Sequence, residues 1–258
     1  MKEHRTASII EVMGESVVAP GLDAGQPSRK HRAIPRVIAV DGSAASGKST
    51  VGQRLAAVLG YPFLDTGVMY RAVTWAALHR GIDVHDRAAL SDLAASVRLD
   101  VGPPSPGSTE SCTIAVDGID VTTELRTPEV EEAVSLVSRV AGVRSALVKL
   151  QRDIAGRQDM VMAGRDIGTV VLPDAGLKVY LDASPEERAR RRHQEFATLE
   201  RNVSEEMVLA DLRRRDQIDS ERSVSPLRPA DDAVIINTDG LALDEVLRRV
   251  LELVEGRP

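Results

Sequence analysis

The residues from 42 to 49 have the types and the spacing needed to hold a polyphosphate. They read GSAASGKS, which fits the pattern G-x-x-x-x-G-K-[ST] of a nucleotide-binding phosphate loop. Glycines permit the tight turn that points backbone N–H groups at a phosphate, and a following helix presents its partial positive end there. We expect Lys48 to reach the β and γ phosphates and the Ser49 hydroxyl to be a ligand of a bridging Mg²⁺. The segment therefore predicts binding of a nucleoside triphosphate.

The surrounding sequence favours this interpretation over a glycine-rich turn without a ligand. An apolar run at 37–40 precedes the loop as a buried strand would, and Val51, Leu55 and Val58 follow it at helical spacing up to Gly60. Strand, loop and helix thus occur in the order that the motif requires. The predicted triphosphate-binding residues are Gly42, Ser43, Ala44, Ala45, Ser46, Gly47, Lys48, Ser49 and Thr50.

Two further clusters of charged residues could carry chemistry. Arg165 and Asp166 follow the apolar run 160–162, and open α/β sheets bind ligands beyond the carboxyl ends of their strands. A surface turn with a local ion pair is the alternative. Arg215, Asp219 and Arg222 are spaced i, i+4 and i+7, so they share one face if a helix continues that far. A solvated charged face is the alternative there.

The elements that must position these clusters alternate between strand and helix. Short apolar runs at 61–64, 160–162, 177–181 and 234–236 are typical of buried parallel strands. Helices are predicted at 68–80, 86–97, 128–140, 143–154 and 243–254, and the capping-box spacing at 184–187 begins another. The predicted fold class is α/β with a doubly wound parallel sheet.

The segment from 98 to 122 differs in character from the rest. A proline-rich loop at 103–107 precedes strand-like runs at 113–116 and 119–121, which are joined by Asp117 and Gly118. Asp-Gly between two such runs is a strong hairpin signal. A small β insert is expected here.

Composition narrows the class of protein. A chain of 258 residues with 43% hydrophobic residues can bury a real core, and we expect one large domain with insertions. The net charge of -6 argues against a general nucleic-acid-binding surface. Cys112 is the sole cysteine, so no internal disulfide is possible; a reducing compartment is the simpler assumption and an inert thiol is expected.

The first 35 residues carry no assigned function. Their mixed composition predicts a flexible leader, and the apolar run near residue 10 is too short for a signal peptide and is broken by Glu11. No apolar run approaches the length that a membrane span needs, so no membrane partner is expected.

Taken together, the motifs resemble the bacterial cytidylate kinases from residue 37 nearly to the C-terminus. The resemblance rests on VDGSAASGKST (40–50), LDTGVMYR (64–71), RTPEV (126–130), GVR (142–144) with QR (151–152), GRDIGTVV (164–171) and RRDQIDSER (214–222) running on to SPL (225–227). It implies a single nucleoside monophosphate kinase domain over 36–258 with a sheet of the P-loop NTPase type. It also implies that the β insert, about 98–126, lies on the monophosphate-binding side and that a helical lid covers about 186–203.

The activity implied by the resemblance is transfer of the γ-phosphoryl group of ATP to CMP or dCMP, as in pyrimidine nucleotide salvage. Mg²⁺ is the implied cofactor, ATP and CMP or dCMP are the implied partners, and a cytoplasmic monomer is expected. The acceptor phosphate is already ionised near neutral pH, so no general base is needed. The sequence agrees with this, because none of its five histidines stands in an evident catalytic arrangement.

The resemblance also implies roles for individual residues. Arg71 and Arg165 hold the CMP phosphate, and Lys48, Arg165 and Arg188 act in catalysis. The other members of the CMP set are Thr66, Arg144 and Asp166 at the cytosine edge, Ser135, Arg215 and Asp219 at the ribose, and Arg222 at the phosphate or the base.

Two points in the resemblance stay open. Which of the lid arginines at 188–192 reaches the triphosphate is undecided. The family often has an acidic residue just before Gly164, where this chain has Ala163, so an additional metal or water contact from that strand end is in doubt.

Two alternatives remain. A kinase for another small acceptor on the same scaffold would differ in the monophosphate that it turns over. A GTP-dependent switch is the second, but residues 237–239 read Asn-Thr-Asp without the lysine of the guanine-reading motif N-K-x-D, and a switch does not need the array of arginines.

Overall fold

The structure is a computed structural model, which describes residues 34–105, 107–108, 110–198, 202–222 and 224–256. The predicted leader therefore lies outside the described residues except for Ile34 and Pro35, and part of the predicted lid, residues 199–201, does so too. In chain order the elements are β1 (Val37–Gly42), α1 (Lys48–Leu59), β2 (Phe63–Asp65), α2 (Thr66–His79), α3 (Arg87–Ser96), β3 (Leu99–Gly102), β4 (Thr113–Val116), β5 (Ile119–Asp120), α4 (Pro128–Ser138), α5 (Ala141–Ala155), β6 (Met160–Gly164), β7 (Leu177–Asp182), α6 (Pro185–Thr198), α7 (Glu205–Ser220), β8 (Val234–Asn237) and α8 (Leu243–Val254).

The central sheet has five strands in the order β2-β6-β1-β7-β8, and every neighbouring pair is parallel. Successive residues of β1 enter different cores: Ile38 and Val40 pack with α1 and α8, whereas Ala39 packs with α2, α3 and α5. Side chains alternate between the faces of a strand, so both faces of the sheet are covered by helices. This confirms the predicted doubly wound α/β fold.

The β insert is a separate antiparallel sheet of three strands in the order β3-β4-β5. Its hairpin turns at Asp117 (φ 50) and Gly118 (φ 85), and positive φ at both positions is the geometry that selects Asp-Gly. The strand β3 was not predicted, because its four residues have only two apolar side chains in alternation, Leu99 and Val101, beside a run of prolines.

Side-chain caps set where several helices begin. Asp86 accepts hydrogen bonds from the N–H groups of Ala88 and Ala89, both at 3.0 Å, as the cap prediction for α3 requires. The helix α2 begins two residues earlier than predicted, at Thr66, because the Asp65 carboxylate accepts from the Gly67 N–H at 2.9 Å and caps it there.

The sequence placed Arg215, Asp219 and Arg222 on one helix face only if the helix continued that far. The helix α7 ends at Ser220, so Arg222 lies beyond it. Arg222 is nevertheless buried, and its Nε donates to the carbonyl of Asp219 at 3.1 Å.

None of the described helices is long and apolar enough to cross a membrane. Burial raises the pKa of the Cys112 thiol to about 11, which keeps it protonated at neutral pH.

Candidate active site

One cavity of about 710 Å³ lies beyond the carboxyl ends of β1, β2 and β6. The phosphate loop, the segment after β6 and α7 all contribute to its lining. All nine predicted CMP residues line it: Thr66, Arg71, Ser135, Arg144, Arg165, Asp166, Arg215, Asp219 and Arg222. Of the predicted triphosphate set, Ala44, Ala45, Gly47, Lys48, Ser49 and Thr50 line the same cavity, and Gly42, Ser43 and Ser46 do not.

The phosphate loop has the backbone that its glycines allow. Gly47 stands at φ 91 as the N-cap residue of α1, and no side chain caps that helix end. A Cβ on Gly42 would lie 2.4 Å from the carbonyl oxygen of Leu181, so the loop closely approaches β7. The uncapped N–H groups of α1 and their positive dipole end therefore face the cavity, which suits an anion.

Lys48 is buried at the start of α1, and its Nζ donates to the carbonyl oxygen of Ser43 at 2.8 Å. Burial lowers the pKa of this lysine to about 7, and the positive charge of Arg165 adds to the effect. An anionic ligand beside Nζ favours the charged form. The site is therefore electrostatically incomplete without a polyphosphate.

Ser49, one residue on, donates its hydroxyl to the Asp65 carboxylate with an Oγ to Oδ2 distance of 2.6 Å. Asp65 lines the cavity and joins the end of β2 to the start of α2. Sequence reasoning did not select Asp65. The available signal was an acidic residue directly after an apolar strand.

The segment after β6 carries Arg165 and Asp166 into the cavity. Asp166 forms a buried ion pair with Arg144, whose guanidinium also lies 5.3 Å from the centre of the Tyr70 ring. Beside them, the Thr66 hydroxyl donates to the carbonyl of Ala163 at 3.0 Å. These side chains form a polar wall with both a carboxylate and a cation.

Arg165 forms an ion pair with Asp219 of α7, so the second and third charged clusters meet in the fold. Arg215, one turn earlier on α7, donates to the backbone carbonyl of Glu131 at 2.8 Å. Neither cluster is the isolated surface feature that the alternative interpretations described. Arg71 of α2 lines the same cavity, and burial lowers its pKa to about 10, which leaves it charged at neutral pH.

A buried carboxylate that sequence reasoning missed holds the segment after β6. Residues Ile167–Val171 form a short π-helix, and Asp41 at the end of β1 accepts from the N–H groups of Ile167 and Gly168, both at 2.7 Å. Burial raises the pKa of Asp41 to about 6. An acidic residue at the end of an apolar strand was the only signal in the sequence.

The predicted catalytic residue Arg188 is not brought into this cavity. Its guanidinium donates to the carbonyls of Ala183 at 3.1 Å and Ala44 at 3.2 Å and pairs with Asp216. It lines a second cavity of about 390 Å³ on the other side of the phosphate loop, together with Ser43.

Two other arginines of α6 do line the main cavity. Arg191 donates to the side chain and the carbonyl of Thr238 at 3.0 and 2.6 Å. Arg192 pairs with Glu131 of α4 at 2.5 Å. The helix therefore reaches both the end of β8 and the opposite wall of the cavity.

Comparison with known proteins identifies the family. The chain matches the family model described as Cytidylate kinase over residues 38–256. The cytidylate kinase of Bacillus licheniformis is 46% identical over 220 residues, which cover 85% of this chain and 96% of that protein. That of Pelotomaculum thermopropionicum is 46% identical over 219 residues, covering 85% and 96%. That of Rhodococcus jostii is 46% identical over 222 residues, covering 86% and 95%. Because the family model spans most of the chain and these relatives align over nearly their whole length, the chain belongs to the cytidylate kinase family.

Proposed function

We propose that this chain transfers the γ-phosphoryl group of ATP to CMP or dCMP and releases ADP with CDP or dCDP. The observation that carries the proposal is a single cavity in which the phosphate loop faces the nine predicted CMP residues. A donor and an acceptor bound in one cavity react as an intramolecular pair, which removes much of the entropic barrier.

The donor half of the cavity is assigned to ATP. Lys48 and the uncapped N–H groups of α1 are proposed to hold the β and γ phosphates. Mg²⁺ fits this half, because the Ser49 hydroxyl and the adjacent Asp65 carboxylate are the hard oxygen donors that it prefers. When bound, the ion neutralises charge on the phosphates.

The phosphate of CMP is assigned to Arg71 and Arg165. Both line the cavity, and both are cationic groups able to grip phosphate oxygens in bidentate fashion. With the acceptor oxygen already ionised, catalysis consists of in-line positioning and neutralisation of charge by Lys48 and these arginines.

The nucleoside part of CMP is assigned to the polar wall and α7. Thr66, Arg144 and Asp166 together offer donors and an acceptor to the cytosine edge. Ser135, Arg215 and Asp219 are proposed for the ribose. Arg222 lines the same cavity, and both roles given to it, at the phosphate or at the base, stay predictions.

The helix α6 is proposed to be the lid, closing the cavity through Arg191 and Arg192 and excluding water during transfer. The catalytic role of Arg188 stays a prediction. Its contact with the Ala44 carbonyl supports a role in holding the phosphate loop. We further propose that the protein acts as a monomer, since residues of one chain line both halves of the cavity. A cytoplasmic location is proposed with it, since a single cysteine suits a reducing compartment.

The experiment that tests the function is ATP-to-ADP turnover with Mg²⁺ against CMP, dCMP, UMP, AMP, GMP and no acceptor. We expect turnover with CMP and dCMP, and none for Lys48→Ala, which serves as the control for contaminating kinases. Strong turnover of a purine monophosphate, or of ATP without an acceptor, would contradict the assignment of the cytosine edge.

A further inference from the structure

We propose that Asp65 is the carboxylate through which the protein couples Mg²⁺ to triphosphate binding, acting on the metal through the Ser49 hydroxyl. This inference rests on the proposed function, since it concerns the metal of the bound ATP. It makes Asp65 a positioning residue for the proposed reaction.

The first support is the geometry between two distant parts of the chain. Ser49 lies in the first turn of α1 and Asp65 at the end of β2, yet Oγ and Oδ2 are 2.6 Å apart and both residues line the cavity. The Ser49 hydroxyl donates a hydrogen bond to the carboxylate, so the lone pairs of its oxygen remain available to a cation. A carboxylate that orients and polarises a ligand in this way typically raises metal affinity.

The second support is that the other carboxylates near the phosphate loop are engaged elsewhere. Both oxygens of Asp41 accept backbone N–H groups. Asp166 pairs with Arg144, and Asp219 pairs with Arg165. Both oxygens of Asp65 also accept hydrogen bonds, but one of them comes from the Ser49 hydroxyl of the phosphate loop itself, and within the described part of the chain no arginine or lysine forms an ion pair with Asp65.

The third support is the residue that faces Asp65 on β6, the strand next to β2 in the sheet. In the parallel pairing of β2 and β6, Asp65 is in register with Ala163, and residues in register point to the same face of the sheet. Ala163 contributes only a methyl group at that level. The strand β6 therefore offers no carboxylate beside Asp65 at this level, and metal coupling should depend on Asp65.

The chemistry of Mg²⁺ agrees with this arrangement. The ion keeps several waters and is usually held by substrate phosphates together with one or two carboxylates. A hydroxyl ligand that a single carboxylate orients beside a phosphate loop suits this chemistry.

The test is the affinity of a non-hydrolysable ATP analogue, measured by calorimetry with Mg²⁺ and with EDTA. The quantity compared is the ratio of the dissociation constant in EDTA to that in Mg²⁺. Asn keeps an oxygen that accepts from the Gly67 N–H, so Asp65→Asn preserves the cap of α2 and removes the charge. We expect this ratio to fall by about tenfold or more, while affinity in EDTA is unchanged or improved.

Two further variants secure the result. Asp65→Ser also keeps a cap acceptor and should lower the ratio in the same way, which guards against poor folding of the first variant. Asp86→Asn is the matched control, because Asp86 caps α3 similarly and does not line the cavity. It should leave the ratio unchanged.

An unchanged ratio in the Asp65 variants would overturn the inference, as would an equal loss of affinity in Mg²⁺ and EDTA, since that pattern marks a structural role. If the unaltered protein bound no nucleotide in either condition, the proposed function would fail instead.

Discussion

Lys48 carries its charge at a position that disfavours charge. The side chain is buried, and among the described residues its ammonium donates one hydrogen bond, to the Ser43 carbonyl. Burial lowers the pKa from 10.5 to about 7, because an ammonium loses its hydration there. A polyphosphate supplies the missing negative charge. The ligand-free protein is therefore destabilised by the residue on which phosphate binding depends.

This predicts how stability varies with pH. The folded protein releases the Lys48 proton near pH 7, whereas the unfolded chain keeps it up to about 10.5, so the unfolded state binds more protons between these values. The free energy of unfolding should then rise with pH across this window. Between pH 7.5 and 9.5, the ligand-free protein should gain about 2 kcal/mol relative to Lys48→Met, measured by urea unfolding. Parallel pH profiles for the two proteins would show that burial does not shift this lysine.

At the scale of elements, the pairing of β1 with β6 brings the proposed ATP site and the proposed CMP site together. The phosphate loop follows β1, and the segment with Arg165 and Asp166 follows β6. Asp41 of β1 accepts hydrogen bonds from the backbone of that segment. The π-helix at Ile167–Val171 turns the backbone so that two successive N–H groups reach one carboxylate. Asp41 thus fixes the segment that carries Arg165 and Asp166, the proposed acceptor residues, relative to the strand that leads into the phosphate loop.

Asp41→Asn should damage the acceptor site more than the donor site. Asn offers one oxygen to two N–H groups, and a buried N–H without a partner costs about 1–3 kcal/mol. We expect the KM for CMP to rise about tenfold, which corresponds to about 1.4 kcal/mol, while the affinity for the ATP analogue stays within about twofold. Steady-state kinetics and calorimetry give the two values.

The control for this prediction is Asp159→Asn. Asp159 lies just before the other end of β6 and forms an exposed ion pair with Arg36, so its loss should leave both constants unchanged. If Asp41→Asn weakened nucleotide and CMP binding equally, the carboxylate would support β1 as a whole and not the segment after β6.

The sequence predicted the elements with strong periodicity and a local signal at their ends. The strand β1, the helix α1 with Gly60 at its end, and the Asp86 cap of α3 are of this kind. It did not predict β3, which is short, or the contacts of Asp41 with residues 126 and 127 positions away. Such contacts depend on strand order, which local patterns do not encode. The predicted CMP residues line one cavity, but their assignment came from resemblance to a family.

At the scale of the whole molecule, α6 joins the two sides of the cavity. Arg192 of α6 pairs with Glu131 of α4, and Glu195 of α6 pairs with Arg126 beside the β insert. Arg126 and Glu195 are 44% and 42% exposed, and ion pairs that exposed contribute about 0–1 kcal/mol each. The Arg192–Glu131 pair is more buried, at 16% and 7% exposed, so opening of the proposed lid has to break this stronger contact as well.

The last prediction concerns the residues that precede this unit. The family match begins at residue 38, and among the described residues Pro35 lies against Gly176 next to β1. A chain that begins at Ile34 should therefore fold and keep kcat/KM for CMP within about twofold of the full chain. A chain that begins at Ala39 is the comparison, because it lacks the pairing of Val37 with Met160 and should be unstable. A loss of more than about tenfold in the chain from Ile34 would show that residues 1–33 form part of the kinase.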